Sequence, residues 1–294
     1  MIQHFRFGSP IRTDSVVQDI PVSTGAVPFL TADADGWVYT MAPDAIVYGL
    51  GEMPRGINKR GWHYVANNTD ESHHGENKVS YYGAHNFLLI DGGPGGDLFG
   101  VFVDFPGKVH YDIGYTVHDT LRFATEEPDY ELYILTGADL NDIAHQFRQL
   151  IGRSYIPPKW AFGLQQSRWG YKTAEDVREV ARQYKENDLP LDMICMDIDY
   201  MQDYADFTIN KERFPDLAAL AAELKAQGIR LVPIIDAGVR IDPEEPTCTE
   251  GLEKGYFCKK EDGTPFVAAV WPGKAYFADF LRPEVRAWFG HRYK

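Results

Sequence analysis

Cysteine is nearly absent from this chain: Cys195, Cys248 and Cys258 are the three in 294 residues. The count is odd and no Cys-x-x-Cys occurs, so neither a disulfide framework nor a zinc site is indicated, and reduced, buried thiols are expected. Long apolar runs are missing as well. No stretch approaches the roughly 18 apolar residues that a membrane span needs, and the first ten residues, Met1 to Pro10, carry no apolar leader core. A soluble cytoplasmic chain with no membrane segment is expected. Positive charge is the third deficit. Lys and Arg total 29 against 43 Asp and Glu, a net charge of −14, which disfavours an electropositive phosphate-binding face and makes nucleic acid a poor partner.

What is present is ordinary in bulk: 44% hydrophobic and 24% charged residues can build a sizeable core and exclude wholesale disorder. Aromatics reach 14%. Beside excess carboxylate they suit stacking on neutral, polyhydroxylated ligands, and a β-rich core would account for them equally well.

The length implies two domains at about 150 residues each. Residues 1 to 136 carry short apolar runs, clearest at Ala45–Tyr48, Phe87–Ile90, Leu98–Asp104 and Glu131–Leu135, with turn clusters such as 91–97 between them. Regularly spaced short strands without helices predict a β-sandwich or barrel. Over 139–152, Leu140, Ile143, Phe147, Leu150 and Ile151 share one helix face. Pro157-Pro158 then favours extended backbone, and the domain junction is placed there, giving a domain over 1–155 that ends in a linker helix and a second over 156–294.

From Ala161 onward strands alternate with helices. Strands are expected over Ala161–Arg168, Asp192–Asp199 and Arg230–Asp236, with helices over Thr173–Asn187 (Thr173 as N-cap) and Pro215–Gln227. A long Gly/Pro/Glu-rich connection follows, then a last helix from Pro283. Alternating units mean a parallel sheet, in a (β/α)8 barrel or a doubly wound fold. A complete barrel takes about 250 residues. The region from Ala161 holds about three βα units, so the chain reads as stopping short of a full barrel.

Chemistry-bearing residues collect at strand ends. Met193–Met201 is an apolar strand running into Asp197 and Asp199, with Met193, Cys195 and Asp197 on one face and Ile194, Met196 and Ile198 on the other. The third strand likewise ends at Asp236. Carboxylates at the C-terminal ends of barrel strands are where active sites are built, although a strand-end Asp also serves to cap the next loop. Trp169 and Trp271 sit where strand gives way to loop, as stacking platforms or as core plugs. Gly49-Leu50-Gly51 lacks the following helix of a dinucleotide site, and His73-His74 in a polar loop reads as solvated rather than metal-binding.

Several motifs then match one family in order. Tyr48–Glu52, Asn67–Asp70 and Tyr82–Phe87 resemble the N-terminal β-sandwich of glycoside hydrolase family 31. Pro157–Gly163, Gln166–Tyr171, Met196–Met201, Val270–Gly273 and Phe277–Phe280 resemble the start of that family's catalytic barrel. The likeness covers almost the whole chain and is nearest to the bacterial α-glucosidases. It implies an N-terminal β-sandwich followed by the first part, about three βα units, of a (β/α)8 TIM barrel. It further implies a retaining, exo-acting enzyme on non-reducing-end α-glucosides, working on α-linked gluco-oligosaccharides without metal or organic cofactor and leaving a homodimer open at full length.

By the same resemblance Asp70 would accept hydrogen bonds from sugar hydroxyls, and Asp197 would grip the outer hydroxyl of the terminal glucose. Trp169 and Ile198 would shape the pocket wall and its linkage tolerance, Trp271 would floor the pocket, and Asp236 would lie beneath the reacting centre. The family's nucleophile motif, Trp-x-Asp-Met-Asn-Glu, is absent from 1–294. No catalytic residue is therefore assigned in this chain, and an Asp197/Asp199 pair on one strand could not flank a glycosidic bond. The alternatives are a non-catalytic carbohydrate-binding protein, or an α-xylosidase or transglucosidase of the same family.

Overall fold

A computed structural model describes residues 1–293 as two compact units, Met1–Ser154 and the chain from Tyr155 onward. The first is built from two five-stranded antiparallel sheets. In one, β1 (Ile2–Phe7) pairs with β10 (Tyr130–Thr136), then β7 (Leu98–Asp104), β6 (Ala84–Asp91) and β4 (Ile46–Gly51) follow. In the other the order is β2 (Thr31–Asp33), β3 (Gly36–Thr40), β9 (Thr120–Thr125), β8 (Val109–Ile113) and β5 (Trp62–Ala66).

Period-two alternation decides which residues fill the space between the sheets. Phe99, Val101 and Val103 of β7 join Leu132 and Ile134 of β10, Leu88 and Ile90 of β6, and Tyr111 and Phe123 from the other sheet. Phe87, Phe102, Tyr133 and Leu135 on the other face of the first sheet are covered as well. Helix α1 (Leu140–Leu150) packs Ile143, Phe147 and Leu150 against them. The rings of Phe87 and Phe147 stack 3.7 Å apart. This is why Leu98–Asp104 reads as an unbroken apolar run although its sheet is antiparallel. At Gly100 a Cβ would lie 2.9 Å from Ile143 Cγ2, so glycine is what lets the helix approach the sheet.

The second unit opens with a 3-10 turn over Lys159–Phe162 and then forms a parallel sheet of β11 (Gln165–Arg168), β12 (Met193–Met196) and β13 (Arg230–Pro233). The crossovers are α2 (Ala174–Glu186) and α3 (Leu217–Ala226). Thr173 and Asp176 form a reciprocal capping box at the start of α2. Val177, Ala181, Leu220 and Leu224 from these helices bury Ile194, Met196 and Ile198.

All three expected strands are shorter than their predicted spans, and β13 ends at Pro233 rather than at Asp236. Pro158 starts the 3-10 turn, so β11 begins only at Gln165. Asp197 ends β12 because its carboxylate takes the Ile198 amide at 2.7 Å and folds Ile198–Tyr200 into a second 3-10 turn.

The connection after β13 is structured as well. It contains β14 (Gly238–Arg240), α4 (Pro246–Glu253), β15 (Val267–Val270) and β16 (Gly273–Phe277), in an antiparallel sheet ordered β14-β16-β15. With α5 (Pro283–Arg292) these enclose their own small core of Val239, Cys248, Phe257, Val285, Trp288 and Phe289. All three cysteines are unpaired, and burial raises each thiol above its usual range. No helix among the described residues is long and apolar enough to cross a membrane.

Candidate functional site

The C-terminal ends of β12 and β13 gather the carboxyls of the second unit. Asp197 caps the turn after β12 with one carboxylate oxygen and is only partly buried. Asp236, three residues past β13, has a buried Oδ2 with no hydrogen-bond partner. Burial, and then the neighbouring charge of Asp197, raise its carboxyl above the usual range. Adjacent parallel strands thus bring two acidic groups that lie 39 positions apart in sequence within electrostatic reach.

Two hydrogen bonds to backbone carbonyls fix this mouth. The Ile234 amide donates to the Met196 carbonyl at 3.1 Å, extending the ladder past β13. The Tyr200 hydroxyl donates to the Ile234 carbonyl at 2.7 Å. Burial, with the nearby Asp206 and Asp236, pushes the Tyr200 phenol up, so it acts as a fixed donor.

Asp199 is not beside Asp197 on a strand. The 3-10 turn carries it inward to 3% exposure, with its Oδ2 unpartnered. Ile198 is 5% exposed and packed among Tyr171, Met196 and Phe214. Trp169 follows β11 and is 62% exposed, with its carbonyl accepting from Arg168 Nε at 3.2 Å. Trp271 is 71% exposed in the two-residue turn joining β15 to β16, where Val270 pairs with Gly273.

Asp70 belongs to the first unit, on the loop between β5 and β6. That loop is held by the Thr69 amide on the Tyr81 carbonyl at 3.0 Å, by Lys78–Glu71 at 2.8 Å, and by the Tyr82 hydroxyl on the Glu71 carbonyl at 2.9 Å. Asp70 is exposed there.

One carboxyl of the group at the strand ends had no sequence signal. Asp206 lies in an aperiodic loop, and only the fold shows its Oδ1 accepting the Asp236 amide at 3.0 Å. Among the described residues no cluster of three or more His, Cys, Asp or Glu is arranged to hold a metal. A polar cavity of about 780 Å³ lies in the first unit, lined by His4, Arg6, Arg12 and Glu131. We place the candidate site at the strand ends instead, where unpartnered carboxyl oxygens converge.

The chain resembles known proteins in sequence and in fold. Residues 26–112 match the glycosyl hydrolase 31 N-terminal galactose mutarotase-like domain, and residues 154–294 match the glycosyl hydrolases family 31 TIM-barrel domain. Alpha-glucosidase 2 of Bacillus thermoamyloliquefaciens is 39% identical over 249 residues, covering 84% of this chain and 31% of its own. Alpha-xylosidase 1 of Arabidopsis thaliana is 30% identical over 262 residues, covering 87% and 28%. The solved structure of a Flavobacterium johnsoniae GH31 dextranase complexed with isomaltotriose superposes with a TM-score of 0.78 at 25% identity, covering 91% of this chain and 33% of that one. The chain therefore spans about a third of the length of these relatives. The three parallel strands are the observed part of a TIM-barrel domain that follows a mutarotase-like sandwich.

Proposed function

Because the chain belongs to glycosyl hydrolase family 31, we propose that the whole protein is a retaining, exo-acting α-glucosidase of the cytoplasm, releasing glucose from the non-reducing end of α-linked gluco-oligosaccharides. Residues 1–294 supply the grip on the sugar. The observation that carries this reading is the juxtaposition of Asp197 and Asp236 at the ends of adjacent parallel strands. An ionised carboxylate is acceptor-only and can take two sugar hydroxyls at once. Asp197 keeps its second oxygen for that purpose after capping Ile198.

Asp236 beneath it positions the reacting sugar, and exposed Trp169 and Trp271 offer indole faces to its apolar side. Ile198 acts from below, by supporting the turn that carries Asp197. Asp70, exposed on its loop, is proposed as a further acceptor of sugar hydroxyls. Retention requires a nucleophile and an acid/base about 5–5.5 Å apart across the bond, and we assign neither to residues 1–294, so this stretch alone should turn over nothing.

Glucose or xylose release is to be followed with p-nitrophenyl α-glucoside, p-nitrophenyl α-xyloside, maltose and isomaltose, for the full-length protein and for residues 1–294. Turnover of the glucosides by the long form alone, with Asp197→Asn raising KM at least about tenfold, is expected. Turnover by residues 1–294 would place the chemistry in residues assigned here to binding. Xyloside cleavage alone would change the substrate class, and sugar binding by the long form without turnover would make the protein a binding module.

A further inference from the structure

The loop between the turn after β12 and helix α3 is built under strain. Asp203, Tyr204 and Phe207 have φ of 48°, 60° and 64°, a left-handed conformation that costs a non-glycine residue about 1 kcal/mol or more. Such strain persists only where surrounding contacts over-determine it. Here the Gln202 amide donates to Thr208 Oγ1 at 2.9 Å, and the Thr208 hydroxyl donates to the Ala205 carbonyl at 2.5 Å. The Asn210 amide closes the loop on the Tyr200 carbonyl at 2.8 Å. Phe207 is packed edge-on against Phe289 and Tyr293 at 5.1 and 5.4 Å.

The result of this closure is one buried carboxyl. Asp206 is 3% exposed, its Oδ1 accepts the Asp236 amide, and its Oδ2 has no partner. The titratable groups facing it are Asp236 beyond β13, Glu245 at the start of α4, Tyr200 in the 3-10 turn and Tyr293 after α5. All are acidic or phenolic, and no cation pairs with Asp206 among the described residues. A carboxylate there would be buried, uncompensated and repelled, which disfavours its charged form.

We propose that Asp206 is a positioning residue whose neutral carboxyl holds the Asp236 amide, and hence the mouth of β13, in place, and that losing its proton to solvent repels Asp236 and weakens sugar binding. This rests on the reading of Asp197 and Asp236 as sugar-facing groups. Burial, together with the charges of Asp236 and Glu245, raises the Asp206 carboxyl to about 7 although the Asp236 amide favours its ionised form. The transition therefore falls in the neutral range, where an ordinary carboxyl would stay ionised throughout.

The test uses the full-length protein with p-nitrophenyl α-glucoside, and compares Asp206→Asn, which keeps the acceptor and cannot ionise, with Asp206→Ala, which removes it. From about pH 6 to about pH 8 the wild-type KM should rise at least threefold, while Asp206→Asn holds KM flat with kcat at the lower pH within about twofold of wild type. Asp206→Ala should have a raised KM at both pH values. The proposal is overturned if Asp206→Asn keeps the wild-type rise, or if it is as impaired as Asp206→Ala at the lower pH. Should the full-length protein cleave no α-glucoside, the functional reading fails by itself and melting temperature decides the proton-holding role. Asp206→Asn should then gain on wild type between pH 5 and 8, and a constant difference across that range overturns the inference.

Discussion

The hydroxyl of Tyr200 donates to the carbonyl of Ile234 at 2.7 Å, joining the turn after β12 to the end of β13 across 34 positions of sequence. It ties the turn that carries Asp197 to the segment that carries Asp236. Tyr200→Phe keeps the packing of the ring and leaves the Ile234 carbonyl without that donor. A loss of about 1 kcal/mol in urea unfolding is expected, with a fold-rise in KM larger than any fold-fall in kcat. An unchanged KM would show that the tie serves the fold and not the mouth.

The two units should respond to pH with opposite signs. In the first, Glu131 accepts from Arg6 Nε at 2.8 Å and from Tyr133 at 3.1 Å, with His4 Nε2 at 3.3 Å. Burial alone would raise its carboxyl, yet Arg6, His4 and Tyr133 outweigh that and hold it below its usual value of 4.5. Its stabilising contribution is therefore present above about pH 4.5 and lost as pH falls through the depressed folded value. Melting curves recorded between pH 6 and 3 should show Glu131→Gln less acid-sensitive than wild type.

Asp206 in the second unit behaves in reverse. Its folded-state proton is held up to about pH 7, whereas the unfolded chain releases it near the ordinary value of 3.8. Stability is thus lost progressively as pH rises through that window and levels off above it.

Gly100 tests how closely α1 sits on the first sheet. Gly100→Ala places a methyl 2.9 Å from Ile143 Cγ2 and 3.1 Å from Phe87 Cε2, and overpacking of this kind costs about 1–3 kcal/mol. Pairing it with Ile143→Val should recover part of that loss. Equal stability of Gly100→Ala and wild type in urea would mean the helix moves outward freely.

At the start of α2, Thr173 Oγ1 accepts the Asp176 amide at 3.2 Å and Asp176 Oδ2 accepts the Thr173 amide at 2.8 Å. Thr173→Ala should cost about 1 kcal/mol, read from a shift in urea midpoint with unchanged slope. Thr173→Ser should behave nearly as wild type.

The elements legible in the sequence were those with a single dominant signal. Leu98–Asp104 is unbroken in apolar character and became β7 with those bounds. Thr173 with Asp176 gave the start of α2, and the spacing of Ile143, Phe147 and Leu150 gave α1. Asp192–Asp199 overran its strand because hydropathy cannot show that the Asp197 side chain competes for the Ile198 amide. Apart from the short apolar run before Trp271, the stretch from Gly238 to Phe277 reads in sequence as a connection because its signals are weak. Its strands have three to five residues, and α4 is capped by a Glu, whose Oε2 takes the Cys248 amide at 2.7 Å. Gly251 lies within that helix for packing reasons, since a Cβ there would lie 2.4 Å from Phe257 Cζ. At the site, Asp197 and Asp236 were visible as strand-end acids. Asp206 was not, because its burial is decided by a strained loop and by Glu245 and Tyr293, which are distant in sequence.

Beneath α1 the sheet that holds β7 is apolar on both faces, so polarity there does little to specify how its strands align. A strand with one wet face that slips by a residue exposes its whole hydrophobic set. Here a slip would only exchange one greasy surface for another. Shape must supply the missing discrimination, and Gly100 is the one notch in Phe99-Gly100-Val101-Phe102-Val103. Shifted by one place, Phe99 or Val101 would arrive beneath Ile143, where there is no room for a side chain. The missing side chain thus works as a key that admits a single alignment between Leu89 on β6 and Leu135 on β10.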